Sequence, residues 1–246
     1  MNLILFRSHE ILDEGEARLQ GERAKHVRHV LNGRSGDELR VGVVNEGTGV
    51  GVIRQVGAEH IDVDYTIESQ PVLPPPTDLI LAIPRPKVLR RVLQHIASLG
   101  VRRILLLNSW RVEKSYLKSP ILQSDALIEN LTVGLEQAGC ASLPDIQVVD
   151  RFRPFVEDSL SAWCGDCDRL LFHPGADAPL SSRRCSADRR VVVAIGPEGG
   201  WIDFEVEALT NEGFEPIALG HPVLRVEVAT VAALSGVNLC RSDSDI

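Results

Sequence analysis

The chain has 246 residues, 44% of them hydrophobic, 24% charged and only 4% aromatic, and carries a formal net charge of -8. This is the composition of an ordinary folded, soluble protein with enough apolar residues for a full α/β core and for more than one domain. No apolar run approaches the roughly 18 residues of a membrane span, Arg7 interrupts the run Leu3-Ile4-Leu5-Phe6 too early for a signal-peptide core, and 5 cysteines, an odd number, argue against a disulfide framework; a cytoplasmic chain with reduced thiols is expected.

In chain order, residues 21–31 (GERAKHVRHVL) read as a short helix closed by Asn32-Gly33. Short alternating runs follow at 38–44, 49–56 and 60–67, separated by turn residues such as Asn45-Glu46-Gly47, so residues 1–70 are expected to form a small β-rich domain. Gly47-Thr48-Gly49-Val50-Gly51 superficially resembles a dinucleotide loop, yet no helix follows it, and it reads as a hairpin turn. The segment SQPVLPPPTD, residues 69–78, forbids helix and central strand and marks a boundary, with 71–78 as linker. From residue 79 to 246 the pattern alternates. Strands are expected at 79–83, 103–107, 146–149, 169–172, 191–195 and 216–219, and helices at 86–99, 119–138, 154–162, 203–211 and 226–239. This is an α/β domain with a mostly parallel sheet.

The charge is unevenly distributed. Residues 71–118 hold 9 Lys and Arg against 2 Asp and Glu, whereas residues 119–246 hold 9 against 20. Screening confines each charge to about 8 Å at physiological salt, so a basic patch attracts phosphate on an acidic protein. In the helix at 86–99, Val88, Leu89, Val92, Leu93, Ile96 and Leu99 form the buried stripe and leave Lys87, Arg90, Arg91 and His95 outside; Arg85, Arg102 and Arg103 extend the patch. A solvated helix face and a polyanion-binding surface are both compatible with this pattern.

The sequence WCGDC at 163–167 has redox-dithiol spacing, but a helix precedes it and a strand follows, the reverse of a thioredoxin active site. A zinc site from Cys164, Cys167, Cys185 and His173 would have only one CxxC pair, and structural thiols are the expected reading. More informative is VVVAIGPEGGWIDFEVEAL at 191–209. Its loop lacks the lysine and hydroxyl of a P-loop and the spacing of a Rossmann fingerprint. Gly199 and Gly200 remain able to adopt positive φ and admit a ligand to the backbone, at the carboxyl end of a strand, where open α/β sheets bind ligands. The segment LGHPVLRVEVATVAAL at 219–234 repeats this strand, glycine loop and helix arrangement.

Together, GPEGG and LG...LRVEVA resemble the C-terminal signature of the SPOUT class of methyltransferases, and more narrowly that of the ribosomal small-subunit methyltransferase E family. Residues 31–41, LEQAG at 135–139 and LFHP at 171–174 extend the resemblance over nearly the whole chain. The resemblance implies a PUA-like β-barrel RNA-binding domain followed by a SPOUT domain with a deep trefoil knot. It also implies a homodimer, with no metal, that transfers a methyl group from S-adenosylmethionine to N3 of a uridine in 16S ribosomal RNA, within the small ribosomal subunit. Another RNA substrate, or a non-catalytic RNA-binding role retaining the knot, are the alternatives.

On the same resemblance, the cofactor pocket comprises Leu171, Phe172, His173 and Pro174; Ile195, Gly196, Pro197, Glu198, Gly199 and Gly200; and Leu219, Gly220, Val223, Leu224, Arg225 and Ala229. RNA contacts are expected from Arg23, Lys25, Arg28 and Arg34, and from Arg85, Lys87, Arg90 and Arg91. Methyl transfer to N3 needs an anionic uracil, so Arg225 is expected to stabilise the imidate and Glu227 to orient that guanidinium through a bidentate pair. Val226 and Val228 stand where the family usually has threonines, Cys140-Ala141-Ser142 replaces an arginine-bearing stretch, and Ser98 replaces a common glutamate.

Overall fold

The structure is a computed structural model that describes residues 3–183 and 185–242. The chain divides into two compact units, one made of residues up to Leu73 together with Thr132–Leu143, the other of Pro74–Leu131 and the residues from Pro144 onward.

The first unit is built on a six-stranded sheet, with one helix of its own and the carboxyl half of the helix at Ser124–Ala138. Its elements are β1 (Ile4–Phe6), β2 (Ile11–Asp13), β3 (Glu16–Gln20), α1 (Gly21–His29), β4 (Glu38–Val43), β5 (Gly47–Val56) and β6 (His60–Ser69), in the spatial order β1-β4-β5-β6-β3-β2. All pairs are antiparallel except β1 with β4. Period-2 alternation puts Leu39, Val41 and Val43 of β4 and Ile61 and Val63 of β6 inside, where Ala24 and Val27 of α1 join them. Nine residues make too short a helix to persist alone, so this packing sustains α1.

The glycine run at 47–51 lies within strand β5, and the turn precedes it: Asn45 takes φ 63° and Glu46 N donates to Val43 O at 3.0 Å. The turn therefore falls at Asn45-Glu46, among the turn residues expected there, and not in the glycine run itself. Close approach explains the glycines, since a Cβ on Gly49 would lie 1.9 Å from Thr66 O and one on Gly51 would lie 2.8 Å from both Val41 and Val63.

A buried ionic cluster ties β1, α1 and the 132–143 segment together inside this unit. Glu10, 6% exposed, accepts from Arg7 and Arg23, and Arg23 also donates to Leu5 O at 2.7 Å and to Glu136 at 2.6 Å. Arg23, expected to touch RNA, thus has both terminal nitrogens engaged inside this unit. Burial pushes the Glu10 carboxyl up, but the charge of Arg23 and the hydrogen bonds from Arg7 outweigh it and hold the group below its usual 4.5.

The second unit carries β7 (Thr77–Ala82), α2 (Pro86–Ser98), β8 (Arg103–Leu107), the start of α3 (Ser124–Ala138), β9 (Asp145–Val149), α4 (Phe152–Asp158), α5 (Leu160–Cys164), β10 (Asp168–Phe172), β11 (Val191–Ile195), α6 (Asp203–Asn211), β12 (Glu215–Ile217) and α7 (Val226–Ser242). Its sheet is wholly parallel, in the order β12-β10-β11-β7-β8-β9. Strands covered on both faces need continuous apolar runs, and every residue of β7 and β11 is buried. At the amino edge the buried Asp78 pairs with Arg103 at 2.6 Å and Arg190 at 3.3 Å. Arg103 is thereby withdrawn from the basic surface expected to follow α2. At the end of α7, the buried Arg241 donates to the carbonyls of Pro76, Ser186, Ala187 and Arg189.

Two helices differ from their sequence expectation. The one expected from 119 begins at Ser124, because Ser119 before Pro120 is held extended (φ -70°, ψ 135°) and only 3-10 turns precede α3. The one expected at 154–162 is broken at Ser159 (φ -126°) into α4 and α5, with Pro154 tolerated in the first turn of α4. WCGDC keeps the order read from sequence, since α5 ends within it at Cys164 and β10 follows it, and among the described residues no His, Cys, Asp and Glu side chains cluster to hold a metal ion.

Replacing Arg23 by Met leaves Glu10 buried without its main cation and is expected to cost about 3 kcal/mol of unfolding free energy in a urea titration. Because the folded-state pKa of Glu10 is depressed, its contribution is present above 4.5 and fades as pH falls through the folded value. The stability gap between the native chain and Glu10→Gln should therefore close on acidification.

Candidate active site

The site begins with strand register. Phe172 of β10 lies beside Ile195 of β11 on one side and Ile217 of β12 on the other, so three parallel strands end in one row. The loops that leave this row enclose a cavity of about 730 Å³, within the range of small-molecule pockets. It is lined by Phe172, His173 and Pro174 from the first loop, Ile195 to Trp201 from the second, and Leu219, Gly220 and residues 223–227 from the third. Ala229 of α7 and Arg85, Val88 and Arg91 from the start of α2 complete the wall. Leu171 is the one residue expected in the pocket that does not line it, being a fully buried core residue of β10. Val88, Trp201 and Val226 were not anticipated; only Trp201, adjacent to GPEGG, had a local signal.

Glycines shape the loops in different ways. Gly200 takes φ +72° and its N–H closes a turn on Pro197 O at 2.8 Å. Gly220 takes φ +89°, and a Cβ there would meet nothing within 4 Å, so the backbone faces open cavity. Gly196 makes room for the buried Trp201 indole, which a Cβ would approach to 3.2 Å. Positive φ was expected at Gly199 as well, but that residue does not adopt it. Its lack of a side chain instead admits Arg111, whose Cδ would lie 2.9 Å from a Cβ and whose guanidinium donates to Gly199 O.

Carboxylates fix the surroundings. Glu198 accepts from the Arg85 backbone N–H at 3.0 Å, linking the second loop to the start of α2. Glu227 accepts from Arg91 at 3.3 Å. The expected Arg225–Glu227 pair is therefore replaced by one between α7 and α2. Arg225 is exposed and makes no ion pair among the described residues, while its carbonyl receives the Val228 and Ala229 N–H groups as α7 starts. Glu205, 1% exposed, uses one carboxylate oxygen to accept Ile202 N–H at 3.1 Å and the other to accept Trp110 N–H at 2.7 Å, joining the start of α6 to the loop after β8. Tyr116 is shifted upward by burial and by Glu113, against a hydrogen bond with Arg85.

The remaining basic residues fall into two groups. Lys87 and Arg90 are exposed on α2, as helical periodicity required. In the first unit Lys25 pairs with Glu22 at 2.7 Å, Arg28 donates to the carbonyls of Gly57 and Ala58, and Arg34 is exposed. No helix among the described residues is long and apolar enough to cross a membrane.

Residues 71–238 match the RNA methyltransferase domain family. The chain is 31% identical to the ribosomal RNA small subunit methyltransferase E of Treponema pallidum over 242 residues, covering 96% of this chain and 90% of the relative. The chain belongs to the ribosomal RNA small subunit methyltransferase E family. Its fold is that of solved relatives of methyltransferase E: a ribosomal RNA small subunit methyltransferase E from Neisseria gonorrhoeae bound to S-adenosyl methionine superposes with a TM-score of 0.80 at 21% identity, covering 98% of each chain. A Legionella pneumophila protein in complex with the bound cofactor SAM gives 0.80 at 23%, again over 98% of each.

Glu205→Ala should leave two backbone N–H groups without their acceptor and cost about 2 kcal/mol. Glu205→Gln keeps an acceptor for one of them and should cost less; chemical denaturation of the two variants checks the order.

Proposed function

We propose that this chain methylates N3 of a uridine in 16S ribosomal RNA, within the small ribosomal subunit and in the cytoplasm, using S-adenosylmethionine. The observation that carries the proposal is the cavity at the three aligned strand ends, in a chain of the RNA methyltransferase family.

The residues fit the cofactor. Phe172, Ile195, Leu219 and Leu224 offer apolar walls for a ring, and open backbone at Gly220 lets a ligand approach main-chain polar groups. The Trp201 Nε1 is buried without an acceptor, a donor left over on the wall. When bound, the cofactor supplies a methyl group on a sulfonium, open to in-line attack. The chain's task is to bring N3 into line and make it anionic. Arg225, unpaired and on the cavity wall, serves as the cation beside O2 or O4 of the uracil, and a guanidinium already neutralised by a neighbour would serve less well. Glu227 acts on the architecture by holding Arg91, and through it α2, against the start of α7.

The same reading gives the other parts their roles. The N-terminal sheet is a PUA-like RNA-binding domain, residues 79–246 are a SPOUT domain whose C-terminal part ties the trefoil knot, and Arg85, Lys87, Arg90 and Arg91 meet phosphates. A homodimer covers the exposed Val228 and Leu239 of α7.

Gly220→Val places a β-branched residue at φ +89° and fills open cavity; with strain of about 1 to 3 kcal/mol it should abolish S-adenosylmethionine binding in calorimetry while the protein stays folded. Ribosomal RNA from cells lacking the gene should lose one N3-methyluridine by mass spectrometry, and an unchanged modification profile would refute the substrate. Arg225→Ala should slow single turnover at saturating RNA by about ten- to a thousandfold, partly recovered at higher pH as N3 ionises unaided.

A further inference from the structure

We propose that Trp110 is the platform on which an unpaired base of the substrate RNA, neighbouring the target nucleotide, stacks. This rests on the RNA methyltransferase reading above and adds to it a residue that sequence reading passed over. Trp110 is 80% exposed, the most exposed aromatic side chain among the described residues. Its exposure is built in. The residues on either side are held, with Ser109 and Val112 buried, Val112 N donating to Ser109 O at 3.1 Å, and the Trp110 N–H fixed at 2.7 Å by the buried Glu205. The next residue, Arg111, reaches to the carbonyl of Gly199 on the cavity rim. A rigid backbone thus presents an indole to solvent beside the loop that bounds the cavity.

The company it keeps selects the partner. Arg111, Lys114 and Lys118 are exposed on the same segment, and half-exposed Phe204, adjacent in sequence to Glu205, has the Arg153 guanidinium 5.9 Å from its ring. A protein-docking surface would call for a continuous apolar patch, whereas single aromatic faces interleaved with cations are what single-stranded nucleic acid uses: bases stack and phosphates pair. A target uridine that must leave its stack to enter a cavity leaves its neighbour with a bare face, and Trp110 is placed to cover it.

The test is methyl transfer to small ribosomal subunits, and to deproteinised 16S RNA, from cells lacking the gene. Trp110→Ala should raise the half-saturating RNA concentration about five- to a hundredfold on both, with S-adenosylmethionine affinity and thermal midpoint unchanged. Trp110→Phe should restore most of the loss, and Trp110→Leu, apolar but without a π face, should not. Equal half-saturation for the native chain and Trp110→Ala, or equal rescue by Leu and Phe, overturns the proposal. A defect confined to intact subunits overturns it too, assigning the indole to a ribosomal protein. A native chain that neither binds S-adenosylmethionine nor methylates either RNA refutes the underlying function, and this inference with it.

Discussion

Everything in the catalytic unit depends on the parallel register of β10, β11 and β12. Because Phe172, Ile195 and Ile217 fall in one row, three loops from distant parts of the chain leave the sheet at the same height and on the same edge. A parallel sheet needs crossover connections, and these lengthen the sequence distance between loops that end up as neighbours. The cavity is therefore a property of strand alignment, and the glycines in the loops refine a space that the sheet has already created.

Around that space, acidic residues do the fastening. Glu198 holds Arg85, Glu227 holds Arg91 and Glu205 holds two backbone N–H groups, so each glutamate links an element carrying the cavity wall to a different segment of chain. This division reconciles an acidic protein with an anionic substrate. Part of the negative charge is consumed internally, and cations such as Lys87 and Arg90 stay at the surface.

Much of this was legible in sequence because it is local. Strand β11 and helix α6 follow from an apolar run broken by GPEGG, and the outward face of α2 follows from helical spacing. Partners were less legible. Nothing near Glu227 indicates Arg91, 136 residues away, whereas Arg225 is close in sequence and was the natural but incorrect choice. Arg23 has the appearance of any surface arginine until Glu10 and Glu136 close on it. Gly199 and Gly200 are identical residues side by side, and only the approach of Arg111 to one and the turn at the other separate their roles. Pairing of β1 with β4 escaped the periodicity reading because three residues are too few to show a period.

The anchorage of α7 has a consequence for how this chain tolerates change. Arg241 grips main-chain oxygens of Pro76, Ser186, Ala187 and Arg189, and every amino acid brings such an oxygen whatever its side chain. The clasp is thus indifferent to side-chain identity at Pro76, Ser186 and Ala187 so long as the path of the chain is kept, whereas Arg189 also holds Asp166 and Asp168 through its own guanidinium. Helix α7, which begins at the wall of the cavity, is fastened near its far end by this guanidinium and by the Cys185 N–H donating to Cys240 O at 3.4 Å.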